Sequence, residues 1–198
     1  RDVLGSRGLG DVYKRQREKY GINDKKYILL TMHRRENWGA PMENTMRAIR
    51  DYLEEHKDMY IVFPMHLNPT VRKTVHKVLD KFDRKILLEP LEYLEFIAVM
   101  DGANYIMTDS GGIQEEAPSL GKPTLVLRDT TERPEAIEAG TAKLVGTDYN
   151  NILHYMELLE GELYNEMAHT SNPYGDGKTS KRIRECLEKI NNSKTDII

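Results

Sequence analysis

Residues suited to chemistry fall in four short clusters, each just behind an apolar run. His33-Arg34-Arg35-Glu36-Asn37 follows Tyr27–Met32, and His66-Leu67-Asn68-Pro69 follows Tyr60–Pro64. Asp109-Ser110-Gly111-Gly112 follows Tyr105–Thr108, and Arg128-Asp129 follows Thr124–Leu127, with Arg133 shortly after. Turn formation and capping account for any one cluster alone. Together, carrying His, Arg and Gly-Gly, they point to a single polar rim.

The segment Asp109–Glu116 (DSGGIQEE) is the sharpest of these. An apolar run passes into two glycines, and a helical pattern begins at once. Glycines there let a ligand approach the backbone, and the free N–H groups of a first helical turn suit a diphosphate. Ser110 adds a hydroxyl donor. Glu115 and Glu116 complement the positive end of the helix; alternatively Glu116, leaning toward the N-terminus, reaches the vicinal hydroxyls of a ribose. The Lys-Ser/Thr of a P-loop is missing, as is the full spacing of a dinucleotide fingerprint, so a nucleoside diphosphate fits best. His33, Arg34 and Arg35 bring up to three cationic groups to that site, where charge-assisted bonds are strong. His66 reads equally as a satisfied structural imidazole or a ligand contact. Phe96 reads as core filling or as a stacking face for a base.

Short strands and amphipathic helices must hold this rim together. The runs Tyr27–Met32, Tyr60–Pro64, Lys85–Leu88, Tyr105–Thr108 and Thr124–Leu127, with a weaker one at Ala142–Val145, are too short for core helices. Rich in Ile, Val, Leu and Tyr, they have the composition of buried parallel strands. Helical spacing separates them. Met42, Met46, Ile49 and Leu53 share one face of Met42–Glu55, while Asn68-Pro69 opens Pro69–Leu79 with a cap and a first-turn proline. Tyr93–Met100, Gly112–Leu120 and Asn151–Leu159 complete the alternation. The pattern predicts an α/β fold, a doubly wound parallel sheet of Rossmann-like type, with its ligand outside the carboxyl ends of the strands.

A chain of 198 residues holds one such domain with terminal segments to spare. Its 29 Lys and Arg against 32 Asp and Glu, a formal net charge of -3, give no general attraction to nucleic acid or an anionic membrane. Anion binding must therefore be local. No run is long enough for a transmembrane helix. The single Cys186 excludes an internal disulfide and a cysteine-based metal cluster, and a cytoplasmic protein is expected.

Residues 1–16 (RDVLGSRGLGDVYKRQ) mix three glycines with scattered basic residues and show neither helical nor strand periodicity, so they are expected to be a leader foreign to the fold. Residues 17–172 form the expected domain. Residues 173–198 hold most of the NPYGDG turn (Asn172–Gly177) and a final amphipathic helix, Thr179–Ile190, suited to docking on a second domain.

The blocks HRREN (His33–Asn37), PMHLNP (Pro64–Pro69), TDSGGIQEEAPSLGKP (Thr108–Pro123), RDTTERPE (Arg128–Glu135), AGT (Ala139–Thr141) and NPYGDG closely resemble, in order, those of bacterial non-hydrolysing UDP-N-acetylglucosamine 2-epimerases. The resemblance implies a GT-B-like architecture, in which two Rossmann-like domains enclose a nucleotide sugar. This chain corresponds to the second, with the N-terminal domain expected as a missing partner and a homodimer possible for the full-length enzyme. It also implies Ser110, Gly111 and Gly112 at the diphosphate, Glu116 at the ribose and Phe96 at the uracil. His33 is implied as a catalytic group beside the diphosphate and sugar, with Arg133 in the same pocket. Arg34 and His66 match allosteric contacts to a second UDP-GlcNAc.

The implied reaction interconverts UDP-GlcNAc and UDP-ManNAc. UDP leaves as C2 loses its proton, a 2-acetamidoglucal forms, and a proton returns to the opposite face before UDP re-adds. No cofactor and no metal are expected, and the carboxylate acid and base are assigned to the N-terminal domain. Three other readings compete: a GT-B glycosyltransferase, which would not carry HRREN and RDTTERPE together; a hydrolysing epimerase, usually fused to a sugar kinase; and a non-catalytic nucleotide-sugar-binding module.

Overall fold

Alternate residues of each central strand feed two cores, one on either face of a parallel sheet. The computed structural model describes the backbone of residues 2–195 and the side chains of residues 10–191. Among the described residues the sheet has six strands: β1 (Lys26–Thr31), β2 (Met59–Pro64), β3 (Lys85–Leu88), β4 (Tyr105–Thr108), β5 (Thr124–Val126) and β6 (Ala142–Leu144). Their order is β3-β2-β1-β4-β5-β6, with every pairing parallel.

Ile28 and Leu30 of β1 enter one core, Tyr27 and Leu29 the other. The same period of two places Ile61 and Phe63 of β2 opposite Val62, and Tyr105 and Met107 of β4 opposite Ile106. With both faces covered, β4 is buried at every position, whereas the edge strand β3 is only half-buried. That is why the central strands read as continuous apolar runs.

The described helices are α1 (Asp2–Lys19), α2 (Ala40–Glu55), α3 (Pro69–Leu79), α4 (Tyr93–Gly102), α5 (Gly111–Glu116), α6 (Pro134–Ala139), α7 (Tyr149–Leu158), α8 (Glu162–His169) and α9 (Thr179–Thr195). Helices α2, α3, α7 and α8 pack on one face of the sheet, and α4 and α5 on the other. The expected stripe of α2 is buried, Met42, Met46, Ile49 and Leu53 among it. Each such side chain contributes roughly 1.5–3 kcal/mol over its exposed state. Helix α3 starts where Asn68 Oδ1 accepts from Thr70 N at 2.8 Å, with Pro69 in the first turn.

Three features differ from the sequence expectation. The helix over Gly112–Leu120 is two pieces: α5 ends at Glu116, and Ala117–Leu120 is a 3-10 turn around Pro118, which has no N–H to donate. Helices α6 and α8, six and eight residues long, are too short to show a period in sequence. Residues 1–16 do not lack helical structure, since α1 runs from Asp2 and half-buries Tyr13, Gln16 and Arg17 along one side.

The anchors of α1 lie at its end and just beyond. Arg17 Nη1 pairs with Asp101 Oδ2 at 2.9 Å, while Lys19 Nζ and Tyr20 Oη reach the two oxygens of Glu95 at 2.6 and 2.8 Å. Residue 1 and the side chains of residues 2–9, part of the expected leader, lie outside the described residues, as do residues 196–198 and the side chains of 192–195.

The NPYGDG turn uses Gly175 and Gly177 at φ 110° and 73°, conformations an L side chain disfavours. Tyr174 packs the turn onto Val126, Ala136 and Ala142, and Arg182 grips both oxygens of Asp176 at 2.8 Å. Helix α9 leaves the apolar stripe Ile183, Leu187 and Ile190 exposed. Among the described residues no helix is long and apolar enough to cross a membrane.

Candidate functional site

The strand order reverses between β1 and β4, so the loops leaving their carboxyl ends diverge and open a crevice. Thr31 and Thr108 close its floor with hydroxyls 2.6 Å apart. Just beyond β4, the fully buried Asp109 fastens the loop after β1. Its Oδ2 accepts from His33 N at 3.0 Å, Arg34 N at 2.8 Å and Asn37 Nδ2 at 3.0 Å. Asn37 also donates to Leu127 O at 3.2 Å, tying in the end of β5. A buried carboxylate is costly unless hydrogen-bonded, and here the donors are supplied.

One side of the crevice is a cavity of about 210 Å³ lined by Thr31, Met32, His33, Pro64, Met65, His66, Pro90, Leu91, Phe96 and Ile113. It is largely apolar apart from the two imidazoles, whose rings stack 6.0 Å apart at 17°. His66 Nδ1 accepts from Asn68 N at 3.1 Å, so Nδ1 is bare and Nε2 carries the proton. Phe96 packs against the second core, as the core-filling reading expects, and also lines the cavity.

The other side is the start of α5. Ser110 stands at the cap position with extended backbone, and its N–H goes to Thr108 Oγ1 at 2.9 Å. Its hydroxyl makes no capping bond. Buried Gln114 joins α5 to the RDTTERPE loop, donating to Ser110 O at 3.1 Å and accepting from Thr131 Oγ1 at 2.8 Å. Thr131 Oγ1 accepts from Arg133 N at 3.1 Å, which sets the Arg133 side chain over Gly111. The Arg133 guanidinium pairs with Glu115 and donates to Glu132 O at 3.0 Å. Glu116 is half-buried; burial above all, then the charge of Glu115, raises its carboxyl, while the Tyr93 hydroxyl opposes the shift.

The cations of HRREN are distributed otherwise than expected. Of the three, His33 alone lines the cavity. Arg34 Nη1 lies 3.3 Å from Glu132 Oε1, and Arg35 is exposed. Arg34 is spoken for because Glu132 also serves the buried Arg128, which holds Glu36 Oε1 at 3.0 Å and both Glu132 oxygens. Those bonds to Arg128, then backbone bonding, hold the Glu132 carboxyl at about 2. Thus His33, His66 and Phe96 share one cavity, and Gly111 and Arg133 meet at the helix start. Among the described residues Ser110, Gly111, Gly112, Glu116 and Arg133 line no part of that cavity. Sequence reading missed the structural parts of Asp109, Asn37, Gln114 and Thr131. The one available signal was a lone Asp directly behind the short strand Tyr105–Thr108. Among the described residues no group of three or more His, Cys, Asp or Glu is placed to hold a metal.

A parallel sheet with a polar crevice at its switch point, walled by a glycine-led helix, defines a Rossmann-like domain of the GT-B class. Residues 6–188 match the UDP-N-acetylglucosamine 2-epimerase family, and the chain belongs to it. The Bacillus subtilis UDP-N-acetylglucosamine 2-epimerase is 54% identical over 168 residues, 84% of this chain and 44% of that protein. A Neisseria meningitidis UDP-GlcNAc 2-epimerase bound to UDP-GlcNAc has a TM-score of 0.85 at 45% identity, covering 94% of this chain and 51% of that one. An S. aureus MnaA–UDP co-structure has a TM-score of 0.81 at 48% identity, covering 89% and 48%. The chain spans about half the length of these relatives.

Proposed function

We propose that this chain is the UDP-binding part of a non-hydrolysing UDP-GlcNAc 2-epimerase, interconverting UDP-GlcNAc and UDP-ManNAc by elimination and re-addition of UDP. The observation that carries the reading is the pair Gly111-Gly112. Neither has positive φ, and a Cβ at Gly111 would come no nearer than 4.0 Å to Arg133, while one at Gly112 would meet nothing within 4 Å. Nothing in the described chain demands glycine there, so the demand comes from a ligand approaching the backbone. UDP, the ligand of the S. aureus structure, supplies the diphosphate for such a helix start.

In this reading Ser110, Gly111, Gly112 and Arg133 take the diphosphate, Glu116 the ribose, and the slot beside Phe96 the uracil. His33, which lines that slot, donates to the departing UDP oxygen. Arg133 must exchange part of its bond to Glu115 for phosphate. Arg34 and His66 serve a second UDP-GlcNAc; His66 shares the cavity with His33, so the two sugar nucleotides adjoin. The C2 acid and base belong to the part of the relatives' length that this chain does not span, and the bare stripe of α9 supports docking there. A homodimer and a cytoplasmic location belong to the same proposal. Calorimetric titration with UDP tests it: saturable one-to-one binding is expected, and no binding at millimolar UDP would overturn it.

A further inference from the structure

The buried carboxylate of Asp109 does more than fasten a loop. Its Oδ1 lies 3.3 Å from His33 Nδ1, and it is fully buried while the imidazole is nearly half exposed. The other groups on Asp109 all donate: the N–H of His33 at 3.0 and 3.2 Å, the N–H of Arg34 and the amide of Asn37. An ionised carboxylate only accepts. Beside it the Nδ1–H tautomer is favoured, because a bare Nδ1 would turn its lone pair toward a carboxylate oxygen 3.3 Å away.

The neighbours leave Asp109 as the group that orients the ring. The stacked His66 has its Nδ1 occupied by Asn68 N, the Arg34 guanidinium is drawn to Glu132, and Glu36 is held by Arg128. The His33 backbone is pinned as well, with its carbonyl accepting from Trp38 Nε1 at 3.2 Å. The ring can neither translate away nor flip without losing the carboxylate.

We propose that Asp109 is a positioning residue for His33, its carboxylate 3.3 Å from Nδ1 drawing the Nδ1–H edge of the imidazole inward so that Nε2 is the nitrogen presented to the cavity. When Nε2 takes up a proton, the same carboxylate balances the imidazolium, leaving a charged donor aimed where an anion would sit. The orientation stands on this geometry alone. Only the partner of Nε2, a UDP oxygen, rests on the function proposed above.

Long-range 1H–15N NMR of histidine-labelled protein at mildly alkaline pH reads the neutral tautomers directly, with His33→Gln and His66→Gln assigning the signals. His33 is expected as the Nδ1–H form, opposite to His66, which serves as an internal control in the Nε2–H form. A His33 ring in the Nε2–H form overturns the proposal. In Asp109→Asn the side-chain amide can donate to the ring, so the His33 tautomer should move toward Nε2–H and UDP affinity should fall roughly tenfold. An unmoved tautomer in a folded Asp109→Asn protein also overturns it. Should that variant fail to fold by circular dichroism, the wild-type spectrum decides alone. Failure of the wild type to bind UDP would remove the proposed function and leave the tautomer result standing.

Discussion

Gly112 and Glu132 make opposite kinds of prediction at the scale of single residues. A methyl at Gly112 meets nothing within 4 Å, so Gly112→Ala should keep or slightly raise the melting temperature, since alanine loses less backbone entropy in a helix. In the same UDP titration its affinity should fall, because the methyl occupies the space the ligand needs. Ser110→Ala and Glu116→Ala should each cost on the order of 1–3 kcal/mol of UDP binding without unfolding. Unaltered affinity in all three would remove the start of α5 from the site. Glu132 bears on acid stability. Its carboxyl lies below its ordinary value of 4.5, at about 2, so its bonds add stability above 4.5 and lose it as pH falls toward 2. Carboxyl NMR should find Glu132 still ionised where ordinary glutamates are half protonated, and Glu132→Gln should flatten the acid limb of the stability curve over that window. Glu132 is more than half exposed although Arg128 is buried, so added salt should shrink the difference only in part.

At the scale of elements, the two ends of α1 are unequal. Gly5, Gly8 and Gly10 weaken its first half, each by up to about 1 kcal/mol relative to alanine. The ties to α4 sit at Arg17, Lys19 and Tyr20. Deleting residues 1–16 should therefore leave the melting temperature unchanged, whereas deleting residues 1–20 should lower it by several degrees, at about 2–4 °C per kcal/mol for a domain of this size. A large loss from the shorter deletion would make the first half of α1 part of the fold. Helix α9 is the reverse case. Its turn is well anchored by Tyr174 and by the Arg182–Asp176 pair, yet its apolar stripe covers nothing among the described residues.

For the molecule as a whole, the expected outcome is binding with little turnover. In the function proposed above the half-site stabilises a leaving diphosphate, yet its crevice is open, and water weakens electrostatic stabilisation. General acid–base groups contribute typically ~10²–10⁴-fold, so without carboxylates at C2 only trace turnover should remain. Deuterium incorporation at C2 of UDP-GlcNAc in heavy water measures this even without net conversion. The 198-residue chain should give exchange near background, and addition of the N-terminal half of a relative should raise it. Robust exchange by the chain alone would move the base into it, with Glu36, Asp109, Glu132 and Glu135 to be tested first.

What the sequence determined by itself was local. Apolar runs with polar residues at their carboxyl ends declare strands feeding a rim, and Asn68-Pro69 or Asp109-Ser110-Gly111-Gly112 declare how helices begin, because each signal lies within a few residues. The order of the blocks carried the family. What only the tertiary structure decided was pairing across the rim. Asp109 meets His33 76 positions away, and Arg34 meets Glu132 98 positions away. Strand order, not chain distance, makes those loops neighbours, and a buried carboxylate or guanidinium takes whichever partners that order supplies. Hence Arg34 reads in sequence as a phosphate cation and folds as a partner of Glu132. Likewise, Asp109 reads as the end of a strand and folds as the support of His33.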